Sequence, residues 1–320
     1  MSILLLLSCF LIISDEILAN PNQYGRVSDF QYILTNEQIE TFFRDGLVTI
    51  PNVLSEEEII PIEEAFERFM NGSIQVPDKD LCDISKPFGT PREEWSIVNA
   101  MLPTKYDPQM QNNIYEILTK SMVDQLFPTE NMTKDFDHLL NKLPGKSDAV
   151  FAWHQDMAYW PGSSALGGIH TTATATFSLA IDDSSEENGC LRYVVGSGGG
   201  KDTSKILRPH IPLVGTSREE GHALTVMVDE TVDEVRLAPA TRGSLTIHDE
   251  YVVHGSGGNV SPTRQRRTYV LAYRAGVIVE AERRLGFTHS HNDVVNWDTF
   301  QDGESHRVKV ETANTPKEEL

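Results

Sequence analysis

A histidine and an aspartate lie two residues apart in this chain, at His154 and Asp156, inside an aromatic run from Phe151 to Trp160. In an extended strand, residues i and i+2 point to the same face, and aromatic neighbours favour a strand. The imidazole and the carboxylate therefore converge on one point if this stretch is a strand. Such a pair also occurs in ordinary half-buried strands, so a metal site requires a third ligand from a distant part of the chain.

A third ligand is available at His254, the first residue of a His-Gly-Ser-Gly-Gly-Asn stretch that ends at Asn259. Two neutral imidazoles and one carboxylate on one face of a metal leave the other face open. This arrangement suits non-haem Fe(II) that must take up both a co-substrate and O₂. Zinc is the competing metal, but zinc hydrolases also need a general base near the bound water. No His-Glu-x-x-His pattern beside these residues supplies that base.

An arginine after this loop is placed to hold an anionic co-substrate. Arg266 begins the next predicted strand and could bind a carboxylate bidentately in a dry pocket. The alternative is that Arg264, Arg266 and Arg267 form a solvated cluster at the end of a loop. Strand alternation puts Arg266 and Arg267 on opposite faces, so the two cannot both face the metal.

Short strands separated by turn residues dominate the chain from Lys146 onward. The predicted strands are 172–181, 190–195, 223–228, 234–237, 243–247 and 267–273. Many short strands at regular spacing predict a sandwich or barrel. Before them, capping boxes at Thr35 and Ser55 open two helices, a third helix spans 112–127, and 72–92 is predicted to be a loop. Without repeats or linkers, 20–310 is predicted to be one domain, an all-β core with flanking helices.

The composition restricts the partners of this chain. Its 320 residues include 47 Asp and Glu against 27 Lys and Arg, a net charge of −20. That surface would repel phosphate backbones, so we expect no nucleic-acid binding. It also disfavours a polyanionic substrate such as an acyl-CoA unless a local basic pocket exists. Beyond the N-terminus, no run is long and apolar enough for a transmembrane helix.

Motifs near the two ends of the sequence predict that the protein enters the secretory pathway. Residues 1–19 are interpreted as a signal peptide with an apolar core from Ile3 to Ile13. The acidic tail, 311–320, ends in Lys317-Glu-Glu-Leu320, which resembles the Lys-Asp-Glu-Leu retention signal. Together they predict the lumen of the endoplasmic reticulum, with secretion or the cytoplasm as alternatives.

Three cysteines are too few for a disulfide framework. Cys9 would be removed with the predicted signal peptide. Cys82 and Cys190 either form a disulfide with each other or remain as free thiols. Glycosylation sequons begin at Asn71 and Asn131. A third begins at Asn259, which we expect to remain unmodified because it belongs to the loop after His254.

Short motifs follow one another in order along most of the mature chain. They are Phe42 to Ile50, Leu54-Ser-Glu-Glu, Trp153-His-Gln-Asp156, Glu187-Asn-Gly-Cys-Leu191, Gly196-Ser197, His254 to Asn259 and Arg266 to Tyr273. This ordered set resembles the phytanoyl-CoA dioxygenase family of Fe(II)- and 2-oxoglutarate-dependent oxygenases, which includes ectoine hydroxylase. The resemblance implies a double-stranded β-helix, or jelly roll.

The resemblance also implies the roles of individual residues. It implies iron ligands His154, Asp156 and His254. Arg266 would bind the distal carboxylate of 2-oxoglutarate, and Asn141 matches a position that contacts this co-substrate. The implied cofactors are Fe(II) and 2-oxoglutarate, with ascorbate as an optional reductant.

Other matching positions support the site. Gln155 and Ser256 are assigned to cofactor binding, and Asn259 to shaping the loop. The spacing from His254 to Arg266 is one residue longer than is usual in the family, which keeps Arg264 as an alternative. Ser178 stands where phytanoyl-CoA dioxygenase carries Trp, which implies a reshaped or enlarged pocket.

The implied activity is hydroxylation of an unactivated carbon in a small molecule or lipid, with O₂ consumed and succinate and CO₂ released. The retained Asp156 argues against a halogenase, since those relatives lose the carboxylate. A non-catalytic metal-binding jelly roll and a zinc-dependent hydrolase are the alternatives. His289 and His291 lie in a polar loop and are expected to be unliganded. The substrate and the oligomeric state are not predicted.

Overall fold

A computed structural model describes residues 24–163, 165–169, 171, 173–198, 207–212 and 224–293. The helices are α1 (Asn36–Asp45), α2 (Glu56–Met70), α3 (Pro103–Tyr106), α4 (Ile114–Leu126) and α5 (Gly276–Leu285). The strands are β1 (Gly25–Ser28), β2 (Gln31–Ile33), β3 (Leu47–Ile50), β4 (Leu81–Asp83), β5 (Ile97–Met101), β6 (Met132–Lys142), β7 (Phe151–His154), β8 (Thr174–Ala180), β9 (Leu191–Val194), β10 (Ile211–Pro212), β11 (Leu224–Thr225), β12 (Val235–Ala238), β13 (Leu245–His248), β14 (His254–Ser256) and β15 (Arg266–Ala275). The predicted signal peptide and acidic tail lie outside the described residues.

Two antiparallel sheets organise these strands. The larger sheet has seven strands in the order β3-β13-β8-β15-β6-β5-β4, and the smaller has four in the order β12-β9-β14-β7. Two further ribbons pair β1 with β2 and β10 with β11. The non-consecutive order within both sheets means that the chain crosses between them repeatedly. The predicted all-β core with flanking helices, arranged as a jelly roll, is confirmed.

One face of the large sheet packs against the helices and forms the hydrophobic core. On β15, Tyr269, Leu271 and Tyr273 are fully buried in this core, and the Tyr269 ring lies 5.3 Å from the Tyr115 ring of α4. Burying each such side chain stabilises the fold by about 2 kcal/mol. Because side chains alternate along a strand, Arg266 and its even-numbered neighbours face the other way. The core therefore fixes which side of the sheet carries the site.

The first helices begin and end where their sequence predicts. At the start of α1, the Thr35 side chain accepts a hydrogen bond from the Gln38 backbone, and the Gln38 side chain accepts one from the Thr35 backbone. Gly46 ends this helix with a φ of 84°, a left-handed conformation that glycine adopts easily. A second capping box, formed by Ser55 and Glu58, opens α2.

Six strands, β1 to β6, precede Lys146, although short strands were predicted to dominate the chain only from that residue onward. β4 lies within 72–92, which was predicted to be a loop, and β5 and β6 follow it. β6 carries Asp135 and Asp137, and aspartate is depleted from strands. The fold compensates this tendency: Asp135 Oδ2, for example, lies 2.8 Å from the Nε2 atom of His289, far away in sequence. Partners of this kind are not visible in a local sequence pattern.

Three features concern the predicted location in the secretory pathway: the cysteines, the glycosylation sequons and the helices. Cys82 and Cys190 are both buried free thiols, so the disulfide left open by the sequence is not formed. Asn71 and Asn131 are exposed, whereas Asn259 is fully buried. Within the described residues, no helix combines the length and the apolar character needed to cross a membrane.

Candidate active site

His154 and Asp156 face the same side of the chain, although the strand is shorter than predicted. His154 is the last residue of β7, and Asp156 begins a 3-10 helix, Asp156–Tyr159. Gln155 between them remains extended, with φ −119° and ψ 133°. The i, i+2 relation of a strand is therefore preserved. His154 Nε2 lies 3.5 Å from Asp156 Oδ1.

His254 completes this cluster from the neighbouring strand. It begins β14 and is the direct cross-strand partner of His154. Its Nε2 atom lies 3.7 Å from the same Asp156 oxygen, and the two imidazole ring centroids are 4.3 Å apart. One ligand atom from each of the three residues lies within 4.8 Å of the others. The structure thus brings together the three residues that were predicted to hold iron.

The hydrogen bonds of the two imidazoles fit metal binding. His154 Nδ1 lies 2.8 Å from the carbonyl oxygen of Ala152, and His254 Nδ1 lies 3.0 Å from that of Val252. A carbonyl oxygen only accepts hydrogen bonds, so Nδ1 carries the proton in both rings. Each Nε2 then has a free lone pair directed towards Asp156, as in a metal ligand whose other nitrogen is fixed by the protein.

The charges of the cluster also suit a cation. Burial by itself would raise the pKa of the Asp156 carboxyl, but the adjacent imidazoles of His254, His154 and His248 hold it well below its ordinary value. Burial, together with the neighbouring His154 and His248, lowers the pKa of His254 well below its usual range. An ionised carboxylate beside a neutral imidazole is the protonation state that metal ligands require.

Two side chains that sequence reasoning missed hold the second oxygen of Asp156. His248 Nε2 lies 3.2 Å from Asp156 Oδ2, and the Thr176 hydroxyl donates to the same atom at 3.3 Å. His248 is the last residue of β13, one position beyond the strand predicted over 243–247. Side chains alternate along a strand, so the core position of Ile247 could have predicted that His248 faces the site.

The cluster lines a cavity of about 370 Å³. This volume lies within the range of small-molecule pockets. Much of the wall is apolar, and its aromatic members are Phe88, Phe136, Phe151, Tyr159, Trp160 and Phe287. Ser178, which stands where a tryptophan was expected from the family, also lines the cavity.

Arg266 lines the same cavity and is buried, with 7% of its surface exposed. Its Nε atom has no hydrogen-bond partner among the described residues, and burial lowers the pKa of its guanidinium to about 10. Arg267 faces the opposite way and pairs with Asp182 at 2.6 Å. Arg264 is exposed and pairs with Glu187. The geometry therefore favours Arg266 over Arg264 as the partner of an anion in the cavity.

Ser256 and Gln155 have different surroundings. Ser256 is buried and lines the cavity. Gln155 is also buried, but its side chain donates to the carbonyl oxygen of Tyr251 at 2.6 Å and accepts from the Arg208 backbone at 2.7 Å. These bonds fix the chain between His154 and Asp156, so the structure gives Gln155 a supporting position and not one on the cavity wall.

Asn141 does not reach the cavity. Leu140 and Lys142, its neighbours on β6, line the cavity wall, and alternation turns Asn141 to the opposite face. Its side chain donates to Gln265 at 3.2 Å. This geometry therefore gives no support to the predicted contact between Asn141 and the co-substrate.

Asn259 lies in the loop after His254, whereas His289 and His291 lie on the wall of the cavity. The Asn259 side chain donates to the Arg264 carbonyl oxygen at 2.8 Å and so shapes the loop, as expected. His289, which was predicted to lie in a polar loop, is buried and stacks on Phe136 with ring centroids 4.2 Å apart. His291 Nδ1 lies 3.0 Å from the carbonyl oxygen of Lys79.

Comparison with known proteins agrees with this geometry. The family model described as "Phytanoyl-CoA dioxygenase (PhyH)" matches residues 42–268. The ectoine dioxygenase of Nocardia farcinica is 25% identical over 263 residues, which cover 76% of each chain. The "Probable alpha-ketoglutarate-dependent hypophosphite dioxygenase" of Stutzerimonas stutzeri is 28% identical over 252 residues, 75% of this chain and 78% of the relative.

Solved structures share the fold. EvdO2 from Micromonospora carbonacea var. aurantiaca, complexed with 2-oxoglutarate, superposes with a TM-score of 0.58 at 23% identity, over 76% of this chain and 91% of its own. EctD from S. alaskensis with bound Fe gives a TM-score of 0.56 at 16% identity, over 81% of this chain and 80% of its own. With the family match covering most of its length, the chain belongs to the phytanoyl-CoA dioxygenase family of Fe(II)- and 2-oxoglutarate-dependent dioxygenases.

Proposed function

We propose that His154, Asp156 and His254 hold the iron of this dioxygenase, and that the enzyme hydroxylates a predominantly apolar small molecule. The observation that carries the proposal is the position of the three ligands on the wall of a cavity that also contains Arg266, a buried cation without a carboxylate partner among the described residues. A metal face and an anion-binding group in one cavity are what a 2-oxoglutarate-dependent enzyme needs.

Some residues of the cavity would hold the reactants, and others would exclude water. When bound, iron and 2-oxoglutarate supply the oxidising chemistry: with O₂, the co-substrate becomes succinate and CO₂, and one oxygen atom enters a C–H bond of the substrate. The backbone carbonyls of Ala152 and Val252 fix the tautomers of the two ligand histidines. Arg266 orients the co-substrate by its distal carboxylate, and the aromatic wall keeps water from the reacting carbon.

The cavity wall supports an apolar substrate. Phe88, Phe136, Trp160 and Phe287 offer large apolar surfaces to whatever binds beside the metal ligands. Ser178 adds space where the family carries a bulkier side chain. Comparing metabolites incubated with and without the enzyme, and searching for products that gain one oxygen atom, tests this assignment. Products confined to highly charged metabolites would contradict it.

The reaction type has a direct spectroscopic test. Under anaerobic conditions, Fe(II) and 2-oxoglutarate should together produce a weak visible charge-transfer band, which His154→Ala should lose. In air, the intact protein should release succinate. Iron binding without turnover across a broad substrate panel would favour a non-catalytic jelly roll, and zinc in the purified protein would favour a hydrolase.

We also propose that the protein resides in the lumen of the endoplasmic reticulum. The proposal rests on the signal-like residues 1–19, the Lys317–Leu320 end and the exposed sequons at Asn71 and Asn131. Glycosidase treatment of protein from secretory cells should increase its gel mobility. The shift should disappear in the double variant Asn71→Gln, Asn131→Gln, and Asn259→Gln should not change it. A protein without glycans and with an intact N-terminus would refute this location.

A further inference from the structure

Lys142, the last residue of β6, is a buried cation on the wall of the active-site cavity. Only 2% of its surface is exposed, and it lines the cavity together with Arg266. The two residues are direct cross-strand partners in the β6–β15 ladder. Cross-strand partners project from the same face of a sheet, so the ammonium and the guanidinium enter the cavity side by side.

Neither cation has a carboxylate partner among the described residues. Other buried arginines are neutralised: Arg267 pairs with Asp182 at 2.6 Å, and Arg274 pairs with Glu282. Lys142 donates to the carbonyl oxygen of Gly257, which leaves two of its three N–H groups for another acceptor. Buried charges without a partner are costly, and this chain carries 20 excess negative charges from which a partner could have come. The missing acceptor is therefore to be sought in a ligand.

We propose that Lys142 is a second binding residue for the distal carboxylate of 2-oxoglutarate, acting together with Arg266. This inference rests on the proposed function. A carboxylate has about four lone-pair positions, so it can accept from a guanidinium fork and an ammonium at the same time. A 2-oxo acid that lacks the distal carboxylate would leave both cations unpaired, and the pair therefore selects for a dicarboxylate.

The surroundings of Lys142 couple the binding of 2-oxoglutarate to protonation of the Lys142 amine. The charged and titratable groups that face it are Arg266 on β15, Arg192 on β9 and the Cys190 thiol. Burial and the two arginines lower the pKa of the Lys142 ammonium well below its ordinary value. A bound carboxylate raises that pKa again. Wherever the free amine is neutral, binding takes up a proton, so the affinity for 2-oxoglutarate falls as pH rises.

Calorimetry with a matched pair of ligands tests the proposal. The Fe(II)-loaded protein is titrated without oxygen with 2-oxoglutarate and with 2-oxopentanoate, which has a methyl group in place of the distal carboxylate. In Lys142→Met we expect the preference for 2-oxoglutarate to fall roughly 10- to 100-fold, because a hydrogen bond to a charged group is lost. Affinity for 2-oxopentanoate should hold or rise. Lys105→Met, which removes an exposed lysine, is the matched control.

The outcomes separate this inference from the proposed function. A wild-type protein that binds neither ligand refutes the function itself. A wild-type protein that prefers 2-oxoglutarate, with the same preference in a folded Lys142→Met, overturns only the role of Lys142. Should that variant fail to fold, the wild type decides: proton uptake, measured in buffers of different ionisation enthalpy, should be larger with 2-oxoglutarate than with 2-oxopentanoate. Equal uptake at every pH at which the protein stays folded would contradict the proposal.

Discussion

Replacing His248 by phenylalanine should weaken iron binding without changing the fold. The imidazole Nε2 lies 3.2 Å from Asp156 Oδ2, the carboxylate oxygen that is not shared with the ligand histidines. Phenylalanine keeps the ring and most of its volume but removes this donor. The Asp156 carboxylate would then be held by the Thr176 hydroxyl, at 3.3 Å.

The size of the effect follows from the bond that is lost. A hydrogen bond to a charged acceptor contributes about 1.5–3 kcal/mol, which corresponds to about 10- to 100-fold in a binding constant. Removing the partners of metal ligands typically costs 10- to 100-fold in metal affinity. Because Thr176 still donates to Asp156, we expect the lower part of this range, about 10- to 30-fold. His248→Gln keeps an N–H donor and should recover most of the loss.

Anaerobic competition for Fe(II) between the apoprotein and a chromophoric chelator measures this affinity. Thr246→Val is the matched control, because Thr246 is buried two residues earlier on β13 and its hydroxyl has no partner among the described residues. Thermal melting establishes that each variant is folded. A folded His248→Phe protein with wild-type iron affinity, or a Thr246→Val protein equally impaired, would refute the reasoning.

Three other changes have distinct expected results. In calorimetric titrations, Arg266→Met should weaken 2-oxoglutarate binding about 100-fold, and Arg264→Met should leave it unchanged. A loss of binding in Arg264→Met alone would instead assign the co-substrate to Arg264. Gly258→Ala should destabilise the protein by about 1–3 kcal/mol in urea unfolding, because the added Cβ overlaps the carbonyl oxygen of Ser147; a neutral effect would contradict the packing. Arg274→Met should cost about 3–5 kcal/mol in the same assay, because it removes the nearest cation from the buried Glu282 side chain; unchanged stability would show that the pair contributes little.

The clustering of His154, Asp156 and His254 could be predicted from the sequence because most of its signal is local. His154 and Asp156 need only one extended residue between them, and the ordered motifs placed His254 beside them. Alternation along β15 likewise separated Arg266 from Arg267 correctly, as their different surroundings show.

The rest of the site depends on contacts that the local pattern does not contain. β6 was not recognised because its charged residues find their partners only in the folded protein, and this concealed Lys142 and misplaced Asn141. His248 lay one residue past a predicted strand end. The hydrogen bonds of the Gln155 and Asn259 side chains to distant backbone groups are visible only in the folded structure.

The cross-strand pairing of Lys142 with Arg266 and of His154 with His254 has a consequence for how the protein matures. The paired residues are 124 positions apart in the first pair and 100 in the second, and such long-range contacts form slowly in folding. A slip of one residue in either ladder would turn one partner to the opposite face. During synthesis, neither the iron ligands nor the co-substrate cations can assemble until nearly the whole domain has left the ribosome. Binding of iron by the newly made protein would therefore indicate that the strands of both sheets have paired in the correct register.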